Sequence, residues 1–116
     1  MTTIHIKNLR MRTIIGIEDF ERTKEQDIII NANVQVDAEQ ASDSDDIADA
    51  FNYKTATKQI ISLVEDSQFF LLEKLVNEIL ELIMADEKVL AAEVEIDKPN
   101  ALRFADSVSV KASARK

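Results

Sequence analysis

Between residues 26 and 36 the chain alternates with a period of two. Ile28, Ile30, Ala32, Val34 and Val36 occupy one face, and Ile29, Asn31, Asn33 and Gln35 the other. That period predicts a strand with an apolar core face and an amide-lined face suited to a wet surface or channel. Residues 3–15 read as a second strand. Ile4 and Ile6 share a face, and Leu9, Met11 and Ile15 continue only after a shift of phase, which predicts a bulge between residues 6 and 9. Gly16, the only glycine, marks a turn or a close backbone approach. Apolar spacing then changes to that of a helix. Ala56, Ile60, Leu63 and Val64 form a stripe over 55–66, and Leu71, Leu72, Leu75, Val76, Ile79, Leu80 and Ile83 a stronger one over 71–85. Period two returns in 89–97 and again in 105–113, with a polar connection, Lys98-Pro99-Asn100-Ala101-Leu102-Arg103, between them. Residues 37–50 read as an acidic connector with capping Ser and Asp, followed by a short apolar turn through Ile47 and Ala50.

The order β-β-α-α-β-β predicts the α+β class: a four-stranded, mainly antiparallel sheet with two helices on one face. Such a unit leaves one sheet face uncovered and two edges unpaired. Closing the sheets of several copies into a barrel removes both problems. The 116 residues fit one domain, 1–116. A domain of this size buries only roughly 65% of the surface its unfolded chain exposes, which also favours a homo-oligomer.

Composition narrows the chemistry. With 46% hydrophobic residues the chain is globular. No Cys is present and His5 is the single histidine, so a thiolate or His-rich metal site is excluded within one chain. Fourteen basic against 22 acidic residues, a formal charge of −8, argue against nucleic-acid and anionic-membrane partners. No signal peptide or spanning helix is read from the sequence, and the expected address is the cytoplasm. No phosphate-loop, dinucleotide or nucleophile-elbow motif occurs.

The motifs that do occur form a pattern. Ile6-Lys7-Asn8-Leu9-Arg10-Met11-Arg12-Thr13-Ile14-Ile15-Gly16-Ile17, then Glu21 and Gln26, resemble the opening of the dihydroneopterin aldolase/epimerase family. Ser44 to Tyr53 resembles its central motif, Phe70-Leu71-Leu72-Glu73-Lys74-Leu75 its second-helix motif, and Asp97-Lys98-Pro99 its lysine turn. The resemblance implies the tunnelling fold, a tetrameric barrel often stacked into an octamer, with active sites between subunits, a small pterin as substrate and no cofactor or metal. By the same resemblance Glu73, next to Leu72 in the substrate-binding motif, anchors the pterin: a carboxylate accepts two parallel hydrogen bonds from N3–H and the 2-amino group. Lys98 is implied as the catalytic lysine, Tyr53 as a proton relay from the adjacent subunit, and Glu21 as the acid that orients Lys98 or a water. Each has a plainer alternative: surface acid for Glu73, solvated turn cation for Lys98, interface or core aromatic for Tyr53, loop acid for Glu21.

The flanks Ile6 to Thr13, Phe51-Asn52-Tyr53-Lys54-Thr55, Ala92 to Lys98 and Ala101 to Ser109 resemble the epimerase branch, whereas Lys98-Pro99 is also common among aldolases. The implied reaction is inversion at C2′ of dihydroneopterin triphosphate by retro-aldol cleavage and re-addition; the alternative is aldolase cleavage releasing glycolaldehyde. A triphosphate calls for local cations. Arg103 and Lys54 are the candidates by proximity, with Lys7, Arg10 and Arg12 behind them.

Overall fold

A computed structural model describes residues 1–116. Its strands are β1 (Thr2–Thr13), β2 (Gln26–Val36), β3 (Val89–Pro99) and β4 (Ser107–Arg115), and its helices α1 (Glu39–Ser44), α2 (Tyr53–Asp66) and α3 (Leu72–Met84). The strands form one antiparallel sheet in the order β1-β2-β3-β4. Short 3₁₀ turns lie at Asp19–Arg22 and Ile47–Asp49.

The alternation in β2 becomes burial: Ile28, Ile30, Ala32, Val34 and Val36 all lie within the core. They meet Ala92, Val94 and Ile96 of β3 and the apolar stripes of α2 and α3 in one cluster of 20 buried residues. The β1–β2 register shifts between Ile6 and Leu9, as the phase change predicted. Asn8 sits in the bulge at φ 52, and its backbone N–H donates to Asn31 Oδ1 at 2.9 Å. Asn tolerates this left-handed conformation better than most residues. α2 begins at Asn52, whose side chain accepts from the Thr55 N–H, a local cap that fixes the helix start.

Two segments differ from the sequence reading. The acidic connector contains a short helix with no buried residue, α1, beginning after Asp37, whose carboxylate accepts from the Glu39 N–H, and ending at Asp45 with φ 54. Residues Lys98 and Pro99 are not in the connection but continue β3, paired with Val108 and Ser107. Pro99 is tolerated because it is the last residue of the strand, where a missing N–H costs little. The turn proper runs from Asn100, at φ 63, to Asp106.

The second sheet face is uncovered and polar. His5, Asn33 and Glu93 form one cross-strand row on it; Asn31, Glu95 and Lys111 form another. The two rows are joined by the Lys111–Glu93 ion pair at 3.7 Å, and Ser109 Oγ on the same face donates to Glu95 Oε2 at 2.9 Å.

Candidate active site

β3 carries an apolar stripe, Ala92, Val94, Ile96, and the next position on that face is Lys98. Lys98 therefore ends a core row, and its side chain is only 12% exposed. A cation there needs a partner. Glu21, whose side chain is 8% exposed, provides it through an Nζ–Oε2 ion pair.

Glu21 is brought there by the turn after β1. Gly16 has φ +130, and a Cβ built on it falls 2.2 Å from the Glu21 carboxyl carbon. Glycine is required twice over, for its conformation and for the space Glu21 occupies. The Asp19–Arg22 turn then folds back so that Glu21 Oε1 accepts from the Glu18 N–H at 3.1 Å and Oε2 from Gln26 Nε2 at 2.9 Å. Gln26 also donates to the Ile15 carbonyl at 2.8 Å. Burial pushes the Glu21 pKa upward, but the hydrogen bonds from Lys98, Gln26 and the Glu18 amide outweigh it, and the pKa falls from 4.5 to about 2. Glu21 is thus an anion at neutral pH, paired with the Lys98 cation.

Glu73 lies in the first turn of α3, exposed and free of ion pairs, beside the buried Leu72. The residues just before it, Gln68 to Phe70, are tied to the Glu21 turn: Gly16 N–H donates to Phe69 O at 3.4 Å, and Arg22 reaches the Gln68 and Phe69 carbonyls. Glu73, Glu21 and Lys98 therefore stand at one end of the molecule. The Lys74 N–H already donates to the Leu71 carbonyl at 3.2 Å, but the Leu72 and Glu73 amides before it have no partner within the helix, so this end offers N–H donors and a carboxylate together.

Tyr53 is elsewhere. It opens α2 and is 52% exposed. The other end of α2 is fastened to β1 by Thr13 Oγ1, which donates to Val64 O at 3.0 Å. Eleven residues of helix separate Tyr53 from Val64, about 16 Å. A cleft lined by Phe51, Asn52 and Thr55 with Leu82, Ile83 and Asp86 shows that the start of α2 lies beside the end of α3. Tyr53 and Glu73 thus sit at opposite ends of an antiparallel helix pair, and one chain does not unite them. Lys54 is at the Tyr53 end and exposed. Arg103 is in the exposed β3–β4 turn, 5.5 Å over the Phe104 ring. Of the other cations, Lys7 and Arg10 are exposed, while Arg12 pairs with Asp27 at 3.3 Å.

Arg22 is a residue of this corner that the sequence reading did not single out. Its only signal was adjacency to Glu21, because two of the three carbonyls it bonds are 46 and 47 residues away in the chain, the third being that of Gly16. Ile17, Phe20, Phe70 and Leu71 are exposed large apolar residues flanking the same corner.

A family model for dihydroneopterin aldolase matches residues 4–113. The dihydroneopterin triphosphate 2′-epimerase of Escherichia coli (strain K12) is 52% identical over 107 residues, covering 92% of this chain and 89% of that protein. The protein of the same name from Pseudomonas aeruginosa is 49% identical over 110 residues, 95% of this chain and 89% of its own length. Among solved structures, E. coli dihydroneopterin aldolase in complex with neopterin superposes with a TM-score of 0.93 at 31% identity, covering 98% of this chain and 99% of that one. A family model that matches residues 4–113, with relatives about half identical over nearly the whole chain, settles the kinship: the chain belongs to the dihydroneopterin aldolase family.

Proposed function

We propose that this protein inverts C2′ of dihydroneopterin triphosphate, giving dihydromonapterin triphosphate, by retro-aldol cleavage and re-addition. The observation that carries the chemistry is the buried Lys98–Glu21 pair, a cation held in a nearly closed corner where it acts strongly on developing charge. The branch rests on likeness: 52% and 49% identity to the two 2′-epimerases against 31% to the aldolase of known structure.

In this reading Glu73 accepts two hydrogen bonds from the pterin N3–H and 2-amino group, and the Leu72 amide in the first turn of α3 donates to the ring. The dihydropterin supplies its own electron sink, the imine at N5, so Lys98 forms no Schiff base. Loss of the 2′-hydroxyl proton makes C2′ a carbonyl and breaks the C1′–C2′ bond. The bonding electrons pass through C6 to N5, which takes up a proton. Reversal of these steps on the other face of the aldehyde restores the bond with C2′ inverted. Lys98, oriented by Glu21, assists the proton transfers and stabilises the charge; Tyr53 of an adjacent subunit relays a proton at the side-chain hydroxyl or C1′. The separation of Tyr53 from Glu73 along the helix pair supports a site shared between subunits, in a tetramer or octamer. Arg103 and Lys54 are proposed to contact the triphosphate, one from each side of that shared site.

The test is chiral chromatography of products from dihydroneopterin triphosphate, with a parallel assay for released two-carbon aldehyde. Inversion faster than aldehyde release is expected. Rapid net cleavage with little inversion makes the protein an aldolase instead.

A further inference from the structure

We propose that Arg22 is a positioning residue: it sets the height of the Leu71–Glu73 turn relative to the Glu21–Lys98 pair. The proposal rests on the functional reading above, in which those two groups hold opposite parts of one substrate. Arg22 Nη1 donates to the carbonyls of Gly16 at 2.9 Å and Phe69 at 3.1 Å, and Nη2 to that of Gln68 at 2.6 Å. Its guanidinium lies 4.0 Å from the centre of the Phe70 ring. The three carbonyls come from two turns that are remote in sequence. The first leads into Glu21 and the second leads into Glu73.

One 3₁₀ turn therefore sends consecutive side chains to two tasks: Glu21 to Lys98, Arg22 to the approach of α3. Apart from Arg22, the backbone link between these turns is Gly16 N–H to Phe69 O, a long 3.4 Å bond. A planar fork with several fixed donors suits three carbonyls and a ring face at once, which an ammonium does not. The apolar cluster beneath holds the sheet and helices without Arg22, so its bonds act on the relative placement of the two turns more than on the fold.

Arg22→Met and Arg22→Lys are compared with wild type in three measurements: neopterin affinity by fluorescence, kcat and KM for dihydroneopterin triphosphate, and amide hydrogen exchange. Arg22→Met is expected to lose about 10- to 100-fold in kcat/KM, the scale of a misplacement of about 1 Å, with KM raised as well as kcat lowered. Exchange quickens in residues 15–22 and 68–74 and stays as in wild type in β2 and β3. Arg22→Lys recovers part of the loss. Glu73→Ala, which removes the anchor itself, loses neopterin affinity with exchange in residues 15–22 unaltered. Wild-type affinity and kinetics in Arg22→Met overturn the clamp alone. Faster exchange across β2 and β3 makes Arg22 a general stabiliser and also overturns it. A wild-type protein that binds no pterin overturns the functional reading and the positioning role with it. If Arg22→Met does not fold, Arg22→Lys is held to the same outcomes, since it keeps the charge and loses only the fork.

Discussion

At the scale of single residues the site depends on one glycine and one buried ion pair. Gly16→Ala places a methyl group where the Glu21 carboxylate stands, at a φ that disfavours any side chain. The outcome expected is near-complete loss of turnover with destabilisation of about 1–3 kcal/mol, the cost of forcing such a conformation, measured by denaturant titration; wild-type activity overturns the close-packing account. Glu21 gives a pH signature. Its pKa is about 2 in the folded chain against 4.5 ordinarily, so its stabilisation is complete above the ordinary value and fades as pH falls toward the folded one. The gap in Tm between wild type and Glu21→Gln is therefore expected to narrow as pH is lowered from about 5 to 2. A gap independent of pH shows that the charge on Glu21 contributes nothing. Glu21, Lys98 and Gln26 stood out by family pattern, which also implied Glu21 as the acid that orients Lys98 or a water; no local period points to that pairing, because 77 residues separate the two.

At the scale of elements, the periods of two and 3.6 predicted the four strands and two main helices, because burial against one sheet face imposes them directly. The missed features are those decided by local hydrogen bonds, without an apolar stripe. α1 buries nothing and rests on the Asp37 carboxylate. The extension of β3 through Lys98 and Pro99 was hidden by a polar residue followed by a proline, two usual signs of a turn. The bulge in β1 is a sharper test. Asn8→Gly is expected to fold as well as wild type, and Asn8→Val to lose about 1–3 kcal/mol, since a β-branched side chain is strained at φ 52. Equal stability of the two variants, read by thermal denaturation, removes the bulge conformation as a constraint.

At the scale of the whole molecule, the shape of the single chain bears on the proposed assembly. Only 24 of 116 residues are buried, and the radius of gyration is 15.4 Å, where a compact monomer of this length has roughly 13 Å. The molecule is elongated, 52 × 26 × 21 Å, with a polar sheet face bare and β1 and β4 as open edges. These features, with Tyr53 and Glu73 at opposite ends of the helix pair, lead to a mixing experiment. Tyr53→Phe and Lys98→Ala are each expected to be nearly inactive, and subunit exchange between them to restore activity at interfaces that receive an intact Tyr53 and an intact Lys98. A monomer in light scattering, or no recovery despite proven exchange, means that each chain builds its own site.

Chain and fold divide the information by range. The sequence by itself determined the four strands and two main helices, the buried face of each, the bulge and the absence of a disulfide or thiolate site, because each depends on residues within a few positions of one another or on composition. Only the tertiary structure decided that Lys98 ends a core row and meets Glu21, that Gly16 leaves room for a carboxylate, and that Arg22 joins two turns. The ion pair and the bonds of Arg22 to the approach of α3 close loops of 46 to 77 residues, and no local period encodes which distant carbonyl or carboxylate will stand within hydrogen-bond reach.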